Sequence, residues 1–227
     1  MKKHLLVAGI ALIWLSCTKY NDYKKYITQG ENTYPGKPDS LVVYPGHNRV
    51  LVNFLIQSDP SIIGARIYWN TNADSTSLAI KVTGTVDTIR TYIDSLAEGT
   101  YNFQVQTFDI KGNFSVPAYY TCNVYGNNYL ATLLNIGYTT AIVIPPGNGF
   151  VVFGPLDFED GLVGVRTTWT DTNGNLEDTT AQLSQTQPFV QFPNCTDGTT
   201  LNYAALYLPE AASIDTFATS NQSITLP

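Results

Sequence analysis

Past residue 17 the chain has one histidine, His47, two cysteines, Cys122 and Cys195, and no methionine. A zinc site needs clustered His and Cys ligands, and these three residues form no cluster in the sequence. A serine-type triad needs a histidine base held against its nucleophile. His47 lies in the turn-like stretch Pro45-Gly46-His47-Asn48, with no Gly-x-Ser-x-Gly elbow anywhere, and reads as a solvent-facing turn residue. No phosphate-cradling glycine loop occurs either. Basic residues are scarce where the chain is most acidic: from Asn127 onward Arg166 is the one base against nine acids, a net −8. Such a surface repels phosphate backbones, so nucleic acid is excluded as a partner and anionic glycans are disfavoured. Neutral glycans, cations and proteins remain. With 44% hydrophobic and only 13% charged residues, the chain has ample material for a core, and disorder is excluded.

A long hydrophobic run is also missing. Lys2, Lys3 and His4 precede an apolar stretch from Leu5 to Leu15, followed by Ser16 and Cys17. That stretch is about half the ~20 residues that cross a bilayer, and its flanks are those of a secretory signal. Trp14-Leu15-Ser16-Cys17 resembles a bacterial lipobox, with Trp14 where Leu, Val or Ile is usual. The resemblance implies cleavage after residue 16, a lipid on Cys17 and membrane attachment through that lipid. Residues 17–38 are polar and rich in Lys, Tyr, Asn and Gly, without apolar periodicity, and read as a flexible tether. Lys19, Lys24 and Lys25 belong to that soluble linker. Whether Cys122 and Cys195 are bridged is left open, because sequence does not supply the geometry.

The remainder reads as strands. Val50, Val52 and Phe54 alternate with Leu51 and Asn53; Ala65, Ile67 and Trp69 alternate with Arg66, Tyr68 and Asn70; Tyr101, Phe103 and Val105 alternate with Asn102, Gln104 and Gln106. Period two among β-branched and aromatic residues, between Gly, Pro, Asn and Asp, is the half-buried strand signal. The pattern repeats near one hundred residues. Pro45-Gly46 returns as Pro146-Gly147, Gly64-Ala65-Arg66 as Gly164-Val165-Arg166, Trp69 as Trp169, Glu98-Gly99-Thr100 as Asp197-Gly198-Thr199, and Asn102-Phe103 as Asn202-Tyr203. That period suits tandem immunoglobulin-like β-sandwiches. The expected architecture is all-β: two tandem immunoglobulin or fibronectin type III-like modules, residues 39–126 and 127–227, behind a signal peptide (1–16) and tether (17–38).

Leu96-Ala97-Glu98-Gly99-Thr100-Tyr101-Asn102-Phe103 resembles the turn into strand F of fibronectin type III domains, with Tyr101 as the corner tyrosine. Asp109-Ile110-Lys111-Gly112-Asn113-Phe114-Ser115 resembles the turn into the last strand. The usual strand-B Trp is absent, and Phe54 stands in its place. Taken together, Tyr34-Pro35-Gly36-Lys37-Pro38-Asp39-Ser40, Arg66-Ile67-Tyr68-Trp69-Asn70 and Leu206-Tyr207-Leu208-Pro209-Glu210 resemble a family of Bacteroidetes surface lipoproteins, domain of unknown function 4998. The resemblance implies an outer-membrane lipoprotein accompanying glycan-uptake systems, and it brings no catalytic residues.

Carboxylates offer the remaining chemistry. Asp157, Glu159 and Asp160 fall between two expected strands, and Asp171, Asn173, Asn175 and Glu177 invite a calcium reading. A solvated loop accounts for the first group. A hairpin accounts for the second, since an EF-hand would need Gly at its sixth position, which is Leu176. Whether loop 156–161 binds calcium stays open. Trp69 and Trp169 read as core; the 15 Tyr suit sugar stacking as well as protein contact. The B–C and F–G loops of a sandwich gather at one end. The candidate binding patch is therefore Phe158, Glu159, Asp160, Pro209 and Glu210 at the tip of the second module, with Tyr68 on the first. The expectation is a non-catalytic surface lipoprotein without cofactor. A neutral glycan is the leading ligand; the alternative is a spacer or interaction subunit of an envelope complex.

Overall fold

A computed structural model describes residues 33–227; the expected signal peptide, Cys17 and the expected tether up to residue 32 lie outside the described residues. The first sandwich is built from β1 (Asp39–Pro45), β2 (Val50–Ile56), β3 (Ile62–Trp69), β4 (Asp74–Ala79), β5 (Asp87–Ile93), β6 (Gly99–Asp109) and β7 (Ala118–Val124). A short helix, α1 (Asn127–Thr132), follows. The second contains β8 (Tyr138–Ile144), β9 (Asn148–Phe153), β10 (Leu162–Thr170), β11 (Leu176–Gln182), β12 (Phe189–Pro193), β13 (Thr200–Tyr207), β14 (Phe217–Ala218) and β15 (Gln222–Thr225).

Strand order repeats with the sequence. The first module pairs β1-β2-β5 against β4-β3-β6-β7; the second pairs β8-β9-β12 against β11-β10-β13-β14, with β15 also on β13. All pairings named here are antiparallel. Alternation decides which face is buried. Along β2, Val50, Val52, Phe54 and Ile56 face inward, and Phe54 is fully buried where a Trp is usual. They meet Ala65, Ile67, Phe103 and Val105 of the opposite sheet. The second core repeats this with Val151, Phe153, Val165, Trp169, Phe192 and Leu201. Trp169 is 4% exposed, whereas Trp69 is half-buried against its core.

The repeated Gly-x-Arg has a steric cause. The register of β3 on β6 shifts between Ile62 and Gly64, and that of β10 on β13 between Leu162 and Gly164. A Cβ on Gly64 would collide with the Phe108 ring and Leu78 O; one on Gly164 would collide with Ala181 O. Both modules therefore need glycine where a bulge presses the strand onto its neighbour.

One expectation is corrected. The tether does not extend to Pro38. Pro35 and Pro38 are buried, Gly36 N donates to Asp59 Oδ2 (2.7 Å), and Thr107 Oγ1 donates to Gly36 O (2.6 Å), so the chain is already packed on the first sandwich. His47 is exposed in its turn, as expected, although its backbone N–H and one face of its ring have partners described below. Tyr101 does form the corner, its hydroxyl donating to Ala97 O at 3.0 Å. Cys122 and Cys195 are buried, free thiols.

Candidate functional site

The end of the first module is assembled from two turns and the last strand. Asn48 N donates to Tyr125 O (2.8 Å), Tyr125 N to Gly46 O (3.2 Å), and Leu96 N to Asn48 O (2.9 Å). The β1–β2 turn, the β5–β6 turn and the end of β7 thus form one hydrogen-bonded platform, of which Arg49, Asp94 and Glu98 are charged members.

The second module sets its β13–β14 loop on this platform. Asp215 accepts from Arg49 Nε (2.9 Å) and Nη2 (2.6 Å) and from His47 N (2.9 Å). Ile214 N donates to Pro45 O (2.8 Å). Gly46 permits the approach, since a Cβ there would lie 2.6 Å from Asp215 Oδ2 and 2.8 Å from Ile214 Cγ1. Glu210 accepts from Tyr125 OH (2.7 Å) and Asn123 Nδ2 (3.1 Å). Glu98 accepts the backbone N–H groups of Asn128 (2.7 Å) and Tyr129 (2.8 Å), tying α1 to the first module. Phe217, 2% exposed, fills the centre; its ring centroid lies 4.9 Å from that of His47 and 5.0 Å from that of Tyr129.

The electrostatics agree with the geometry. The hydrogen bonds from Arg49 hold the Asp215 carboxyl below its usual range against the opposing effect of burial. Burial first, and the Glu210 hydrogen bond second, push the Tyr125 phenol up to about 12. On the far side, Tyr203 OH donates to Ile136 O (2.8 Å) and Tyr207 OH to Leu134 O (2.8 Å), fastening the segment after α1 to the second sandwich.

The residues expected at a free tip are distributed around this junction. Glu210 is engaged by the first module, and Pro209 beside it is half-buried. Phe158 leans on the second core. Glu159 is exposed, its N–H closing a turn onto Asp157 Oδ1 (2.9 Å). Asp160 lines a cleft of about 320 Å³ with Tyr129, Thr132, Leu133, Leu134 and Tyr207. Tyr68 lies apart, half-buried on β3 of the first module. The tip of the second module is thus the end that meets the first, because these loops lie where the chain enters a sandwich. Arg49, Asp215 and Phe217 were not singled out in the sequence, and His47 was weighed there only as a catalytic base or metal ligand. Arg49 and Asp215 are 166 residues apart, and no local pattern links them.

Asp171 is saturated by its own hairpin, accepting from the N–H groups of Asn173 (2.9 Å) and Asn175 (2.7 Å). Among the described residues no three His, Cys, Asp or Glu side chains converge to hold a metal. No described helix is long and apolar enough to cross a membrane.

Fold and junction together define a tandem fibronectin type III-like protein whose two sandwiches are fastened end to end. The chain belongs to the family described as a domain of unknown function, domain of unknown function 4998, whose profile matches residues 17–217. No curated protein matches it. Among solved structures it is similar to the chicken CNTN1 FN1–FN3 domains at 10% identity and TM-score 0.43, covering 86% of this chain and 66% of that one, just under two thirds of its length. A segment of two fibronectin type III domains from chicken tenascin matches at 12% identity and TM-score 0.31, over 84% of this chain and 99% of that one. The fibronectin(III)-like modules of Clostridium thermocellum CbhA match at 10% identity and TM-score 0.41, over 82% and 92%. Likenesses this distant say nothing of ligand or partner.

Proposed function

We propose that this chain is a non-catalytic cell-surface lipoprotein, anchored in the outer membrane through a lipid on Cys17, whose two sandwiches act as one stiff spacer and interaction arm. The observation that carries the reading is the Asp215 contact. The loop that would present a ligand site at a free sandwich tip is instead bonded to Arg49 and His47 of the preceding module. A junction with two shared carboxylates and a buried aromatic centre resists bending, as a spacer requires and a flexible pair of binding modules does not. The test is ¹⁵N relaxation of residues 35–227. The reading expects one rotational correlation time for both sandwiches; two distinct times would overturn it.

One observation favours a ligand as well. The cleft beside α1 is lined by half-buried Tyr129, buried Tyr207 and exposed Asp160. A concave site with tyrosines in its lining and an exposed acceptor suits a small neutral glycan. On an array of neutral glycans, binding that is lost in Asp160→Ala would place the sugar there. Absence of binding would leave the spacer reading alone.

A further inference from the structure

The outer faces of the two modules follow one plan and part at a single row. On β3, Ile67 and Trp69 turn into the core, so Arg66 and Tyr68 turn outward. On β6, Phe103 and Val105 turn inward, so Gln104 and Gln106 turn outward. On β7, Tyr120 packs on the core and Tyr119, 59% exposed, faces solvent. Register sets Tyr68 opposite Gln104 and Gln104 opposite Tyr119, so the three stand side by side across three strands. The matching row of the second module, counted from the shared Gly-x-Arg, runs Thr168, Asn202 and Ser223. Two aromatic rings and a long amide thus stand where the repeat has short polar side chains.

The amides between the rings are oriented before any ligand arrives. Ser115 O can only accept, so Gln106 turns its Nε2 toward that carbonyl (2.7 Å) and its Oε1 away. Gln104 Nε2 donates to that Oε1 (2.9 Å), and Asn72 Nδ2 reaches Gln104 Oε1 (3.4 Å). Each glutamine amide keeps a second N–H and a second lone pair, which a sugar hydroxyl, donor and acceptor at once, can use. Ordering both side chains in advance lowers the entropic cost of binding. The neighbouring charge is already engaged: Arg66 Nε donates to Ser77 Oγ (2.8 Å), and its guanidinium lies 5.4 Å from the Phe114 ring centroid.

We propose that this row binds an extended, neutral, β-1,4-linked glycan laid across β3, β6 and β7, with Tyr68 and Tyr119 under two of its sugars and Gln104 bonded to hydroxyls between them. Neighbouring strands lie about 4.8 Å apart, which puts the two tyrosine positions about 9.6 Å apart. That is the span of two pyranose units in an extended chain, so every second ring can rest its C–H face on a tyrosine. An α-linked chain coils and cannot keep both contacts. A peptide strand would instead add along a sheet edge through main-chain bonds, whereas this row crosses the strands. None of these residues belongs to the junction or to the cleft beside α1, so the proposal goes beyond the spacer reading and does not depend on it.

The test is titration calorimetry of the full chain in non-ionic detergent with cellohexaose, mannohexaose and xylohexaose, all β-1,4-linked, beside α-linked maltohexaose. At least one of the three β-linked sugars should bind, and maltohexaose should not. Tyr119→Ala and Tyr68→Ala should each weaken binding by about tenfold or more, since each removes one stacked ring. Gln104→Leu should weaken it several-fold, and Asp160→Ala should leave it unchanged. Circular dichroism verifies folding; should Tyr68→Ala fail to fold, Tyr119→Ala, whose side chain is mostly exposed, carries the test alone. The proposal is overturned if none of the three β-linked sugars binds, if maltohexaose binds equally well, or if Tyr119→Ala leaves binding untouched. Binding lost in Asp160→Ala overturns it too, and moves the sugar to the cleft beside α1. None of these results bears on the correlation times that test the spacer reading.

Discussion

Replacing Asp215 with Ala removes three hydrogen bonds at once, two from Arg49 and one from the backbone of His47. Each hydrogen bond to a charged group is worth about 1.5–3 kcal/mol, but bonds to one carboxylate are not additive. The side chains of Arg49 and Asp215 are 39% and 19% exposed, so solvent discounts the ion pair while the carboxylate remains well sheltered. The net cost comes to about 2 kcal/mol, most of it from the two part-buried Arg49 bonds, since the His47 N–H is exposed. For a chain of this size that lowers Tm by about 4–8 °C. Asp178→Ala is the matched control. That carboxylate also binds an arginine through two nitrogens, but Arg166 and Asp178 are 57% and 44% exposed, so solvent screens the pair and the expected loss is much smaller. Calorimetry should show one transition for wild type and for Asp178→Ala, and a lowered or split transition for Asp215→Ala. The pH dependence has a definite sign. Folding depresses the Asp215 pKa below 3.8, so its contribution is complete above that value and is lost as pH falls through the lowered folded-state pKa. Equal melting of the two variants at pH 7 would refute the reasoning.

Tyr101→Phe deletes the bond to Ala97 O while keeping the ring; urea unfolding should show a loss of about 1 kcal/mol with an unchanged m value. Burial, with the Glu210 carboxylate second, pushes the Cys122 thiol up to about 12. At pH 8 it should therefore hold roughly a thousandfold less thiolate than an unfolded cysteine, and mass spectrometry after iodoacetamide should find Cys122 labelled only once the chain is unfolded.

Much of the architecture was legible because strand periodicity is a local property. Val50, Val52 and Phe54 alternate with more polar neighbours, and this alone places them on the buried face of β2. The repeat was legible for a related reason: Gly64 and Gly164 are demanded by the same bulge, so they recur in the same setting. Tyr101 could be read because its corner closes over four residues. The site was much less legible. Phe158, Glu159, Asp160, Pro209 and Glu210 do come from loops near one end of the second sandwich, but nothing in their sequence says which way that end faces. Pro35 and Pro38 were read as tether because two prolines among polar residues show no periodicity, and only the surface they pack on reveals them as part of the fold.

The sequence by itself determined the strands, their inward faces, the doubling of the module and the acidity of the second half, since each depends on residue type and spacing within a short window. Tertiary structure alone decided what those parts do to one another. It set Asp215 against Arg49 and His47, and Glu210 of the expected tip against Tyr125, while leaving Glu159 and Asp160 exposed. The physical reason is range: side-chain alternation is fixed between adjacent residues, whereas an ion pair spanning 166 residues exists only after two separate cores have formed and been brought end to end.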